Sequence, residues 1–495
     1  MSSSYDAVPY FGKPFARTHP SRLATSASLF GMKPQPVERC RVLELGCTDG
    51  GNLIPMAFGL PESTFVGVDL SAVEVATGQD VIQQLGLGNI ELHAMDLTRI
   101  SGAWGKFDYI LAHGIYSWVA DPVRDAILRI AQENLAPQGV AFVSYNAQPG
   151  GYIRQMFREM MLHHISGVEE PGERIAKARE LLRFLQTSTD GRDEEYRTFA
   201  VGEVSAMLER PDDSLFHDDL EEEWKSFFFH EFIAHARQHG LQFLAEGEYW
   251  EMADNGLHSS ALANLDEMSG GGRLAREQYR DFLKCRRFRR TLLCHENVAL
   301  DGKVKPNAMR RLYATSHSHQ GAVTTDEESS GVRAFYSESG AEMKTAHPLV
   351  IALVSRLRES CPWPLHFDEL LAEFGAENAE AISDILLSMH AAGLVELAAW
   401  RPAFASAAGE RPEASALARL QIRRGSDMTT LMHTVVEAKD DHVKRLVSLL
   451  DGTRDRAALT RELMGTTPAG GNAEMFALEL EENLKTVARL PLLVR

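Results

Sequence analysis

Between Arg41 and Ser144 the chain alternates short apolar runs with amphipathic stretches. "RVLELG", "TFVGVDL", "IELHAMD", "FDYILAH" and "VAFVSYN" have the length and β-branched content of buried strands. Between them, Asn52 to Gly59, Ser71 to Leu85 and Pro122 to Leu135 show the three-to-four-residue apolar spacing of helices. Strand and helix in strict turn predict a parallel sheet wound on both faces. The third and fourth strands are joined by "LTRISGAWGK", too short and too Gly-broken for a long helix.

Beyond the fifth strand the period changes. Residues 151–222 read as helical, as in "RIAKARELLRFLQT", and end in the acidic stretch "PDDSLFHDDLEEE". The sheet pattern resumes in "EEWKSFFFHEFIAHARQHGLQFLAEGEYW", a helix stopped by Gly240 and followed by a strand, and again in "RRFRRTLLCHENV". Residues 39–150 and 223–300 therefore form one α/β core, interrupted by a helical insertion at 151–222 and preceded by a segment at 1–38. The polar, Gly/Ser/Thr-rich region 301–344 reads as a linker. Residues 345–495 begin with three short helical patterns and a strand, the order of a winged-helix domain.

Composition narrows the function. The formal net charge is −18, with 51 Lys and Arg against 69 Asp and Glu, which argues against a polyanion binder and for a basic or neutral partner. The five cysteines are scattered, with no CxxC pair, and read as reduced, buried thiols rather than a disulfide framework or zinc site. No apolar run has the length of a membrane span and the start lacks a signal-peptide pattern, so a cytoplasmic protein is expected.

The chemistry concentrates at the strand ends. After the first strand, Glu44 and Gly46 lead to Gly50, Gly51 and Asn52 at a helix start, a turn in which glycine lets backbone approach a ligand. The dinucleotide fingerprint GxGxxG is absent, because Thr48 stands where its second Gly falls. Asp69, followed by Leu70, closes the second strand at the distance associated with ribose hydroxyls. Asp96 closes the third, placed for an adenine amino group, with the Leu97 backbone at the ring edge. Acids at successive strand ends line the rim where ligands bind in this architecture. A nucleoside follows, and the lack of pyrophosphate geometry together with the acid at Glu44 favours S-adenosylmethionine, whose amino group is cationic.

"VLELGCTDGGNLIPMA", "FVGVDLS", "FDYILAHGIYSWV" and "VSYNAQPGGY" resemble the class I methyltransferase core of bacterial proteins that carry a methyltransferase regulatory domain, among them the rickettsial protein lysine methyltransferases. The likeness extends to "VPYFGKPFARTHPSRLATSASLFGMKP", "EQYRDFLKCRRFRRTLLCHE" and "LVSLLDGTRDRAALTREL". It implies a doubly wound, Rossmann-like core with a winged-helix-like C-terminal domain, acting as an S-adenosylmethionine-dependent enzyme on protein lysine. One departure is that Gly151 and Tyr152 follow "PG", where the family carries Trp.

Residues beyond the fourth and fifth strands overhang the methyl group in this fold. His113 is assigned to the donor; Tyr116, Trp118, Tyr145 and Asn146 are the catalytic candidates, as an aromatic cage with hydrogen-bond acceptors for a lysine amine. The N-terminal "YFGKPFARTHP", with Tyr10, Phe15 and His19, is read as a lid over the donor. Two other readings stay open: a small-molecule acceptor, and a donor-binding scaffold without turnover. Among the remaining signals, His235 and His239 share an i, i+4 spacing, but no third ligand accompanies them in sequence, so no metal is expected. The stretch 212–223 reads as a solvated acidic helix start, and "KCRRFRR" as a strand and its approach with one face in water.

Overall fold

The protein is described by a computed structural model over residues 12–188, 194–254, 257–302, 304–338, 340–437, 439–464 and 473–494. Tyr10, in the segment expected to act as a lid, lies outside the described residues. Helix α1 (Pro20–Leu29) comes first, then the alternating pattern: β1 (Arg41–Leu45), α2 (Leu53–Gly59), β2 (Thr64–Asp69), α3 (Ala72–Leu85), β3 (Ile90–Ala94), β4 (Phe107–Ala112), α4 (Asp121–Asn134) and β5 (Leu135–Ala147). All five strands are parallel, in the order β3-β2-β1-β4-β5. The link between β3 and β4 consists of two single 3₁₀ turns, Leu97–Arg99 and Gly102–Trp104.

Local chemistry accounts for these boundaries. Ser71 caps α3 by accepting the Glu74 amide, and Gly86 ends it in the left-handed conformation that glycine adopts without strain. Helix α4 starts with Asp121 and Pro122, an acid at the positive helix end and a ring whose missing N–H costs nothing there. Two buried apolar clusters cover the two faces of the sheet, one around Val42, Phe65, Tyr109 and Phe142, the other around Leu43, Ile110, Val143 and Phe232.

Helices α5 (Gly151–His164), α6 (Pro171–Ser188), α7 (Glu194–Leu208) and α8 (Asp212–Asp219) form the insertion around their own core of Phe157, Met161, Leu182, Val204 and Leu215. The acidic stretch opens α8 with Asp212 and Asp213 in its first turn and Asp212 exposed, as expected, but its later part turns inward: Asp219 is fully buried, held by Arg154 and Arg210 at 2.7 Å each. The chain returns through β6 (Ser226–Phe227), α9 (Phe229–Gln238), β7 (Leu241–Glu246), α10 (Ser259–Ser269), α11 (Arg273–Lys284) and β8 (Phe288–His295). Strand β8 pairs antiparallel with both β5 and β7, extending the sheet to β3-β2-β1-β4-β5-β8-β7, while β6 pairs the end of β5.

In "KCRRFRR" the charge turns inward. Arg289 is fully buried, 2.8 Å from Asp281 and 3.2 Å from Glu277, and also contacts Glu246. An unpaired guanidinium could not be tolerated there; three carboxylates and the Phe229 ring face, 4.1 Å away, replace its water.

Region 301–344 is not a linker. It contributes β9 (Tyr313–Thr315) and the strands β10 (His319–Gly321), β11 (Arg333–Tyr336) and β12 (Glu342–Thr345), the last three pairing with one another. Its polar composition reflects strands with one wet face, while Ala334 and Phe335 are buried. The three helical patterns fold as Pro348–Ser360, Phe367–Phe374 and Ala379–Ala391, beside a small sheet in which β9 lies between Leu365–His366 and Glu396–Ala398. A separate C-terminal core forms around Leu446, Leu459, Leu484 and Leu493. Among the described residues no helix is long and apolar enough to cross a membrane. The cysteines are free, with Cys40, Cys47 and Cys294 buried, whereas Cys285 is exposed, contrary to the expectation of uniformly buried thiols.

Candidate active site

The sheet order reverses between β1 and β4, the point where a doubly wound sheet opens a crevice beyond its strand ends. A cavity of about 360 Å³ occupies that place, lined among others by Glu44, Gly46, Asn52, Asp69, Leu70, Asp96, Leu97, His113 and Trp118. Sequence reasoning selected all nine of these; the other four candidates sit elsewhere.

Glu44, at the end of β1, is 4% exposed. Its Oε1 accepts the Asn52 amide at 2.7 Å, while its Oε2 has no hydrogen-bond partner among the described residues. Burial, with Asp69 and Asp49 nearby, pushes this carboxyl up to about 8. A buried carboxylate oxygen facing a cavity without a donor is suited to a cationic ligand group. Gly46 lies beside it with φ +75, and a Cβ there would stand 3.2 Å from Ile115. Asp69 is tied at both oxygens by backbone amides, Thr48 N at 2.8 Å and Ser71 N at 2.9 Å, which aims it at the cavity; burial raises its carboxyl. Asp96 caps the turn after β3 through Thr98 N at 2.9 Å and its carboxyl is lowered by that bond.

Gly50 and Gly51 act differently from expectation. Gly50 is absent from the cavity wall; its φ of +75 shapes the turn into α2. A Cβ on Gly51 would lie 2.1 Å from the Gly12 carbonyl oxygen, so this glycine seats the N-terminal segment rather than a ligand. That segment runs over the loop: Gly12 N donates to Asp49 at 3.1 Å and Phe15 N to Asn52 Oδ1 at 2.9 Å, and Gly12, Lys13 and Phe15 line the cavity. The Phe15 ring meets His113 edge-on at 4.2 Å. His113 is further held by Ser144 Oγ at 2.8 Å, and burial depresses its imidazole to about 4, leaving it neutral at physiological pH.

Of the four catalytic candidates, Trp118 alone borders the cavity, with its indole N–H unpartnered among the described residues. Tyr116 is 1% exposed, packed on Phe227 and Phe232, with its hydroxyl 2.7 Å from His235 Nδ1. Tyr145 is fully buried and stacks on Phe232 at 4.2 Å. Both tyrosines are therefore core residues beside the site, because the alternation of β5 and the turn after β4 direct them into the apolar cluster. Asn146 is buried outside the cavity wall, with its backbone N–H on Ser117 Oγ and its Nδ2 without a partner among the described residues. His217 and Asp218, from α8 of the insertion, also line the cavity. The acidic stretch was the signal for them, but no sequence pattern places α8 over a strand end 100 residues earlier. Cys47 also lines the cavity, and burial raises its thiol well above the ordinary range, consistent with an unreactive side chain.

Sheet order, acid-rimmed crevice and orphaned Glu44 oxygen are those of a class I, S-adenosylmethionine-dependent methyltransferase. Residues 42–139 match the family described as methyltransferase domain, residues 211–295 the predicted methyltransferase regulatory domain, and residues 410–473 the PKMT C-terminal winged helix domain. An uncharacterized protein of Rickettsia prowazekii is 36% identical over 374 residues, covering 74% of this chain and 67% of the relative. A second uncharacterized protein of that organism is 35% identical over 241 residues, 49% of this chain and 96% of its own length. The structure of PKMT2 from Rickettsia typhi superposes with a TM-score of 0.86 at 26% identity, over 98% of this chain and 100% of that one, as does its complex with AdoHcy. The chain belongs to this family of methyltransferases with a regulatory domain and a PKMT winged helix. The winged-helix match lies C-terminal to the three helices from which sequence reasoning inferred it.

Proposed function

We propose that the protein transfers methyl groups from S-adenosylmethionine to lysine side chains of a protein acceptor. The observation that carries the donor half is the buried, unpartnered Glu44 Oε2 facing a cavity rimmed by Asp69 and Asp96. Glu44 and Asn52 would hold the donor's amino acid end, Gly46 would leave room for its backbone approach, Asp69 with the Leu70 backbone would take the ribose, Asp96 and Leu97 the adenine, and Phe15 with neutral His113 would cover the sulfur end. The donor supplies a methyl group on a sulfonium, open to in-line displacement by a neutral amine.

The residues on the acceptor side are proposed to be Trp118, His217 and Asp218 rather than an aromatic cage of Tyr116 and Tyr145. Asp218 at the cavity and the indole of Trp118 are suited to drawing in an ammonium group, the first by charge and the second by its ring face. The amine must lose a proton, from a reference pKa of roughly 10.4, before its lone pair can attack. Tyr116, Tyr145 and Asn146 are proposed to act as positioning residues that hold the 113–118 loop and the end of β5. An acceptor in a polymer is supported by the PKMT winged-helix match and by the surplus of acids. A cytoplasmic setting fits the unpaired cysteines.

Labelled donor incubated with a panel of lysine-rich proteins, read by mass spectrometry, is expected to place methyl groups on lysine. Trp118→Ala should lower that rate by about tenfold or more with donor affinity nearly unchanged. Label confined to small molecules, or a Trp118→Ala rate equal to wild type, would overturn this acceptor assignment.

A further inference from the structure

Helix α9 carries His235 and, one turn on, His239 at its C-terminal cap. Read alone, the pair lacks a third ligand. Folding supplies one from 110 residues upstream: Asp125 on α4 places its Oδ1 3.0 Å from His239 Nε2 and 3.5 Å from His235 Nε2. One ligand atom from each of the three lies within 4.8 Å of the others. A tetrahedral zinc with bonds of about 2.0 to 2.1 Å sets its ligand atoms roughly 3.3 Å apart, so the two carboxylate distances bracket that value.

The outer contacts suit a ligand as well. His235 Nδ1 sits 2.7 Å from the Tyr116 hydroxyl, whose oxygen can accept a proton from that nitrogen. With Nδ1–H donating to the phenol oxygen, the Nε2 lone pair faces Asp125 and His239, the arrangement in which metal-bound histidines are held. The histidines are partly buried and Asp125 is exposed, so the triad has a supporting wall and an open side for entry and for water as a further ligand. Nearby Asp121 is engaged by Arg124 and Lys225 and is not needed as a ligand.

We propose that Asp125, His235 and His239 form a binding site for a divalent transition-metal ion of the zinc type, joining α4 of the methyltransferase core to α9 of the regulatory segment. Two imidazoles and one carboxylate match borderline-soft cations and disfavour magnesium and calcium, which take oxygen donors. The consequence for the site runs through Tyr116: its neighbours Ile115, Trp118 and Val119 line the cavity, so an ion at His235 would steady the loop that the donor and acceptor share.

The test uses the full chain after chelator treatment. Zn(II) titration by calorimetry should saturate at one equivalent, and Co(II) should give visible absorption bands of four- or five-coordination. His239→Gln and Asp125→Asn, both at the edge of the core, should weaken Zn(II) about tenfold or more while keeping the melting temperature of the metal-free protein. If no stoichiometric Zn(II) uptake occurs, or if both variants bind Zn(II) like wild type, the site is not here and the proposal fails.

Discussion

At the residue scale, Glu44 links structure to a measurable proton. With its carboxyl raised to about 8 by burial, the free protein holds it largely protonated at pH 7, whereas a cationic amino group beside Oε2 favours the carboxylate. Donor binding must then release a proton. Between pH 6 and 7.5 the affinity should rise with pH, by at most about tenfold per unit, and calorimetry at pH 7 in buffers of different ionisation enthalpy should detect nearly one proton lost. Glu44→Gln should abolish both effects. A pH-independent affinity in the wild type would remove Glu44 from the amino-group site.

At the scale of elements, the N-terminal segment and the loop after β1 act as one unit. Gly51→Ala places a methyl group 2.1 Å from the Gly12 carbonyl, and the backbone on both sides leaves no flexible end to yield. The segment must lift, which exposes the cavity that Gly12, Lys13 and Phe15 line. Donor affinity is expected to fall about tenfold or more while the sheet keeps its stability, since the described residues of the segment contribute no strand. Unchanged donor affinity would mean that the segment is a tail with no part in binding.

This unit also marks the limit of what the chain discloses by itself. Strands β1 to β5 and the helices between them were legible because period-two and period-3.6 patterns reflect burial within one element. The acids on the cavity rim were legible because each follows its own strand. Tyr116 and Tyr145 lie in the core rather than on the cavity wall, which the sequence does not disclose because pattern identifies a position near a strand end but not the side to which a ring turns. His217, Asp218 and Asp125 depend on packing between elements far apart in sequence, for which no local signal exists. Region 301–344 looked like a linker because short strands with wet faces share a composition with loops.

At the scale of the whole molecule, Asn52 joins three parts of the chain. Its side chain bonds Glu44, accepts the Phe15 amide, and meets His433 Nε2 at 3.0 Å, a residue in the hairpin turn between Met428–Thr429 and Val435–Val436 of the C-terminal region. His433 has φ 60 and is 3% exposed, and burial depresses its imidazole to about 3. His19, which lies between His433 and Trp400, is likewise held well below its ordinary value by burial and by His433. Because the folded value lies below the unfolded one near 6.5, the stabilisation is complete above pH 6.5 and is lost as pH falls toward about 3. Each such histidine removes about 1.4 kcal/mol per pH unit below that point. His433→Gln, which keeps a hydrogen-bonding group, should flatten the pH dependence of urea unfolding between pH 6.5 and 5 by about that slope. An unaltered slope would show that this junction opens without charging His433.

The central claim, that the crevice between β1 and β4 encloses an adenosyl donor, is tested most directly by calorimetric titration of S-adenosylhomocysteine into the wild type and Asp69→Ala. The account predicts one site per chain in the wild type and a loss of about 1 to 3 kcal/mol in the variant, the cost of leaving ribose hydroxyls without a buried acceptor. Absence of binding to the wild type, or equal affinity in both proteins, would contradict it.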